Sequence, residues 1–134
     1  MNIQTLILPA LLFASNAQGA DSIAGRYAGR VATGRDNETR SIDVTVMQVD
    51  RHYKLSGTAG YSTGRSVAPD FDGECKEITK PPYRFDFTDS FGNLGIATVT
   101  PIKSGLQFTI TMTTVKDSRC LPLYDLTKLK KKNG

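Results

Sequence analysis

The chain has 134 residues, with 17 Lys and Arg against 13 Asp and Glu, a formal charge of +4, one His, two Cys and no Trp. Apolar residues make up 39% and charged residues 22%, an ordinary globular composition that excludes a disordered or collagen-like chain. The length accommodates one domain.

The first segment is almost wholly apolar from Ile3 to Ala14 and carries no charged side chain before Asp21. Small residues follow at Ala14, Ser15, Ala17, Gly19 and Ala20, as in a secretory signal peptide with its cleavage region. A membrane anchor fits less well, because about 20 apolar residues are needed to cross the hydrocarbon core and Pro9 interrupts a shorter run. Residues 1–19 are therefore expected to be a signal peptide and the protein to be exported, periplasmic or secreted, with no membrane span. Residues 20–127 are expected to form one domain.

From there the side chains alternate. Tyr27, Gly29 and Val31 interleave with Arg26, Ala28 and Arg30. The same two-residue period runs through Ile42–Val46, Tyr53–Gly57, Tyr83–Phe87 and Leu106–Met112, and Ile96–Ile102 is rich in Val and Thr. Strict alternation marks strands with one buried and one wet face. Turn residues at 33–38, 50–52, 90–93 and 103–105 separate the runs, and no long helical pattern intervenes. The expectation is an all-β fold: a small antiparallel meander barrel or sandwich of six to eight strands.

Two stretches depart from the pattern. Residues 58–82 read as a long connection rich in Gly, Ser, Asp and Pro, containing Cys75. After Cys120, Leu123, Leu126 and Leu129 have helical spacing, and the chain is read there as a short helix or irregular tail. Lys128, Lys130, Lys131 and Lys132 account for the whole net charge, so residues 128–134 are expected to be a solvated basic tail. A basic stripe on the folded body is not expected, and nucleic acid is not an expected partner. In an oxidising compartment Cys75 and Cys120 are expected to form one disulfide, worth ~4 kcal/mol for a loop of about 46 residues in the chain-entropy picture.

Catalytic chemistry finds little support. His52 is the only imidazole, it sits in a turn, and no G-x-S-x-G occurs. Asp70, Asp72 and Glu74 recur at every second position, yet the spacing fails the EF-hand pattern, and as a glycosidase pair these carboxylates lack a rigid element. No cofactor or metal is expected. The segment from Ser56 to Arg65 is small-residue rich with one aromatic and one cation. Tyr61, as an anchor, and Arg65, as a charged contact, are the candidate contacts to a protein partner, on a loop spanning 57–74. Alternatively, Tyr27, Phe85, Phe87, Phe108 and Met112 would line a cavity for a small apolar ligand.

The opening Gly25-Arg26-Tyr27-Ala28-Gly29 resembles the Gly-x-Trp strand of lipocalin-like (calycin) barrels, with Tyr in place of Trp. Ser56 to Tyr61 resembles the Ser-Gly-x-Gly-Ala-x-Tyr loop of bacterial lysozyme inhibitors, although that family's later Trp-containing motif has no counterpart in a chain without Trp. The resemblance implies a small exported β-barrel, an inhibitor or immunity protein whose Ser56 and Tyr61 approach the cleft of a hydrolase.

Overall fold

The computed structural model describes residues 22–76 and 80–133; the expected signal peptide lies outside them. Eight strands follow one another: β1 (Gly25–Ala32), β2 (Thr39–Val49), β3 (His52–Tyr61), β4 (Asp70–Cys75), β5 (Tyr83–Asp89), β6 (Leu94–Ile102), β7 (Gly105–Thr114) and β8 (Lys128–Lys131). A 3₁₀ segment, Ser118–Asp125, precedes β8. Each strand pairs antiparallel with the next, and β8 pairs back onto β1, so the sheet is a closed barrel. The expected meander is present. No helix among the described residues is long and apolar enough to cross a membrane.

The alternation read from the sequence is the alternation of burial. Ile42, Val44 and Val46 face inward from β2, Tyr83, Phe85 and Phe87 from β5, Leu106 and Phe108 from β7. Aromatic rings meet inside: Phe71 lies 5.3 Å from Phe87, Phe87 5.2 Å from Tyr124, and Tyr53 5.3 Å from Tyr83, centre to centre. Such edge and tilted contacts add to the burial of each ring. Gly57 sits opposite Phe71 in the β3–β4 register, and a Cβ there would fall 2.5 Å from the Phe71 ring. The absent side chain is thus replaced by a neighbour's ring.

Two segments differ from expectation. The long connection is split, because β3 continues to Tyr61 and Asp70–Cys75 forms β4 with Phe71 and Cys75 buried. The basic tail is also a strand. Leu106 pairs with Leu129 on one side, and Ala28 with Lys130 on the other. Leu129 is 1% exposed. A Cβ on Gly29 would meet its Cδ2 at 2.9 Å, and one on Gly105 would meet its carbonyl oxygen at 1.9 Å. Glycine on both flanking strands lets the closing strand approach closely enough to pair. One buried leucine therefore converts a lysine-rich end into a wall of the barrel.

The 3₁₀ segment covers one end. Its Cys120, Leu123 and Tyr124 are buried, and Arg40 of β2 donates to the Pro122 carbonyl. Asn93, 0% exposed, accepts from the backbone N–H groups of Lys116 and Asp117 at 2.7 and 3.0 Å. Asp89 accepts from the Tyr124 hydroxyl at 2.7 Å and from Asn93. Burial works to raise the Asp89 carboxyl, but the Tyr124, Asn93 and Phe91 donors prevail and hold it below the usual range.

The expected disulfide is absent: Cys75 and Cys120 are not bridged. Cys120 lies at the Asp89 end of the barrel, where β5 meets Phe71. Cys75 ends the same β4 strand beside Tyr53, about 13 Å further along at the usual strand rise. A bridge needs Cα atoms within about 7 Å. Burial, then the nearby Asp89 and Asp117, push the Cys120 thiol up to about 11, which leaves it unreactive at neutral pH.

Leu129→Ala is expected to destabilise the barrel by about 2–5 kcal/mol, read from the urea unfolding midpoint at neutral pH. Maleimide labelling at pH 7 without reductant should leave Cys120 unmodified in the folded protein and label both cysteines once the chain is unfolded; a chain still unlabelled after unfolding would reinstate the bridge.

Candidate functional site

The sequence-derived contacts Tyr61 and Arg65 are brought together, but not as two free groups. Tyr61 ends β3, and Arg65 follows in the loop 62–69. The Arg65 guanidinium carbon stands 4.1 Å from the Tyr61 ring centre, a cation–π geometry. Its Nε/Nη2 edge is turned to Glu38. Arg65 Nε donates to Glu38 Oε2 at 2.8 Å, and Nη2 reaches Oε1. Thr33 donates to Oε1 at 2.8 Å, and the Thr63 hydroxyl donates to Oε2.

Glu38 is 3% exposed. It ends the turn 33–38, where Asn37 takes a left-handed backbone (φ 58°) and the Glu38 amide donates to the Arg35 carbonyl. A buried carboxylate demands donors, and four groups supply them. The Arg65 fork, with Thr63 and Thr33, holds the carboxyl at about 2 against burial that works to raise it. Backbone contacts reinforce the clasp: Ser62 donates to the Thr39 carbonyl at 2.8 Å, and the Ser62 hydroxyl accepts from Thr39 N–H at 2.9 Å. The loop 62–69 is thereby pinned to the β1–β2 turn.

Beside Tyr61 the outer wall of β2 and β3 is recessed into a hollow of about 460 Å³. Gly60 and Ala68 keep its floor low, Thr39, Ser41, Thr58 and Ser62 bring hydroxyls to it, and Arg30 stands at its far side. Ser56 is not part of this edge. It points outward from β3 opposite Asp72, about 17 Å along the strand from Tyr61.

The carrier residues are placed in the interior. Tyr27, Phe85, Phe87 and Phe108 are at most 3% exposed, and Met112 packs against the same cluster. The Tyr27 hydroxyl is engaged by the Ile23 carbonyl at 2.8 Å.

The carboxylates at 70, 72 and 74 stand on the outer face of β4, where alternate positions are roughly 6.7 Å apart on a convex wall. Among the described residues no three His, Cys, Asp or Glu converge on a metal position. His52 does pair with Glu74, Nε2 to Oε2, at 3.0 Å. A hollow of about 550 Å³ beside them takes in Lys54, Ser56, Asp72 and Asp86. Ser56 is two outward positions from His52, about 13 Å along β3, so no hydroxyl–imidazole–carboxylate relay forms there.

Glu38 was not singled out in the sequence. The only signal was a lone carboxylate between a Gly/Asp/Asn turn and a strand, which reads as solvated until the fold shows what lies over it.

No protein-family model matches the chain, and neither a curated protein nor a solved structure matches it significantly.

Because folding lowers the Glu38 pKa from the ordinary 4.5 to about 2, its stabilising contribution is complete above about 4.5 and disappears as pH falls toward 2. Glu38→Gln is expected to flatten this acid limb of the stability curve. Urea titrations of parent and variant between pH 6 and 2 check it, with parallel curves counting against the clasp.

Proposed function

We propose that the protein is an exported, non-catalytic binding module that engages a protein partner through the Tyr61–Arg65 edge, as an inhibitor or immunity protein acting on a secreted or envelope hydrolase. The observation that carries this reading is the clasp. A fully paired buried carboxylate fixes the guanidinium that in turn backs the Tyr61 ring, at the rim of a recess. An aromatic held in place before contact loses little freedom on binding, and aromatic anchors dominate protein interfaces. Arg65 then acts as a positioning residue for Tyr61 rather than as an independent charged contact. The apolar opening segment supports export, and the closed eight-strand meander is an architecture shared by lipocalin-type barrels. The carrier alternative needs interior space, and the Phe71, Phe87 and Tyr124 rings occupy the interior at contact distance.

Capture of secreted and envelope hydrolases, lysozymes included, by the immobilised protein tests the reading. Tyr61→Ala is expected to weaken the captured complex by about 2–4 kcal/mol. Arg65→Lys keeps a charge but loses the fork onto Glu38, and should weaken it less. Undiminished binding by both variants, with their folds intact by circular dichroism, would remove this edge from the interface.

A further inference from the structure

The four lysines that give the chain its excess charge are exposed, but on backbone held against the neighbouring strands rather than on a free tail. Lys128 and Lys130 project outward from β8, and the chain continues along the wall to Lys132, whose N–H donates to the Arg26 carbonyl at 2.8 Å. On the adjoining strand Arg26 and Arg30 also face outward. Between them the wall is recessed into a hollow of about 430 Å³, floored by Ala28 and Gly29. Asp43 is the single carboxylate in its lining, 3.3 Å from Lys132 Nζ. The remaining cations are unopposed there. This hollow shares Arg30 and Ser41 with the recess beside Tyr61, so the two join into one groove across β8, β1, β2 and β3.

We propose that this groove binds an acidic polysaccharide, a sugar chain bearing carboxylate or sulfate groups. Lysines on alternate positions of β8 present charge every ~6.7 Å, which suits an extended ligand with regularly repeated anions. The small residues of the floor let a chain approach the backbone. The cationic half then gives way to the hydroxyls of Ser41, Thr39 and Thr58, which match sugar hydroxyls. Single-stranded nucleic acid takes much of its affinity from bases stacked on aromatic rings. The one ring in the groove's lining is Tyr61, at its far end, with one face covered by Arg65. A bilayer surface is broad and cannot enter a recess.

The direct test is fluorescence anisotropy of a labelled heparin-derived hexasaccharide with the full chain, at about 0.15 M salt. Arg30→Gln, Lys128→Gln and Lys130→Gln together are expected to weaken binding at least about tenfold, whereas Lys54→Gln, Lys76→Gln and Arg84→Gln, the same charge change at residues outside the groove's lining, should weaken it less than about twofold. Asp43→Asn leaves β8 untouched and should tighten binding, since it removes the only carboxylate of the cationic half, Asp70 standing at the far end beside Tyr61; this keeps the test decisive if the triple variant folds poorly. Equal losses in the two triple variants would reduce the effect to net charge and overturn the proposal. So would no binding by the parent, or tighter binding to a single-stranded oligonucleotide or to anionic phospholipid vesicles than to the hexasaccharide.

Discussion

A sheet with one apolar face must hide that face and must also dispose of two edges of unpaired backbone. This molecule does both with a four-residue strand. The contact that permits it is Leu129 between Gly29 and Gly105: Gly29 admits its side chain and Gly105 the close approach of its backbone. Without it the β1 and β7 edges would stand open, an invitation to pair with other chains. Closure also places the basic residues. Once Leu129 points inward, its neighbours Lys128 and Lys130 must point outward, because successive side chains of a strand take opposite faces. The charge of the wall is thus a consequence of the register that seals it.

Two buried polar groups organise the same end of the barrel in different ways. Asn93 and Asp89 fasten the 3₁₀ segment through backbone amides and the Tyr124 hydroxyl, and everything they bind is structural. Glu38 fastens a loop through Arg65, and Arg65 keeps a partly exposed side chain with an aromatic ring beneath it. A buried ion pair is weak evidence of stability by itself. Its effect here is geometric, since it selects one arrangement for a segment otherwise made of Ser, Thr, Gly and Ala. The Tyr61 edge and the basic residues of β8 stand at the two ends of one outer surface, joined across β1 and β2.

Much of the architecture was legible in the alternation. Tyr83-x-Phe85-x-Phe87 and Leu106-x-Phe108 admit one reading when half of each strand is wet. Asp70–Cys75 carries the same period, with Phe71, Gly73 and Cys75 inward, but three carboxylates and a glycine look like a turn until β3 and β5 are seen to flank it. Lys128–Lys131 holds a single apolar residue, too few to show any period. The cysteine pairing was argued from compartment, which says that a bridge is permitted; only the placement of β4 says that its ends are too far apart. At the site, Tyr61 and Arg65 were visible as residue types. Their coupling was not, because Glu38 is more than twenty residues away in sequence and its burial is a property of the assembled loops.

The partners of β1 lie both early and late in the chain. β2 is joined to it by a short turn, but β8 lies roughly a hundred residues further on, and long-range closure of this kind is slow relative to local pairing. Until Leu129 has been synthesised and brought home, the chain can form hairpins but no sealed interior. A fold whose final seam waits for β8 postpones its own commitment, and the hairpins made earlier stay reversible until that strand arrives.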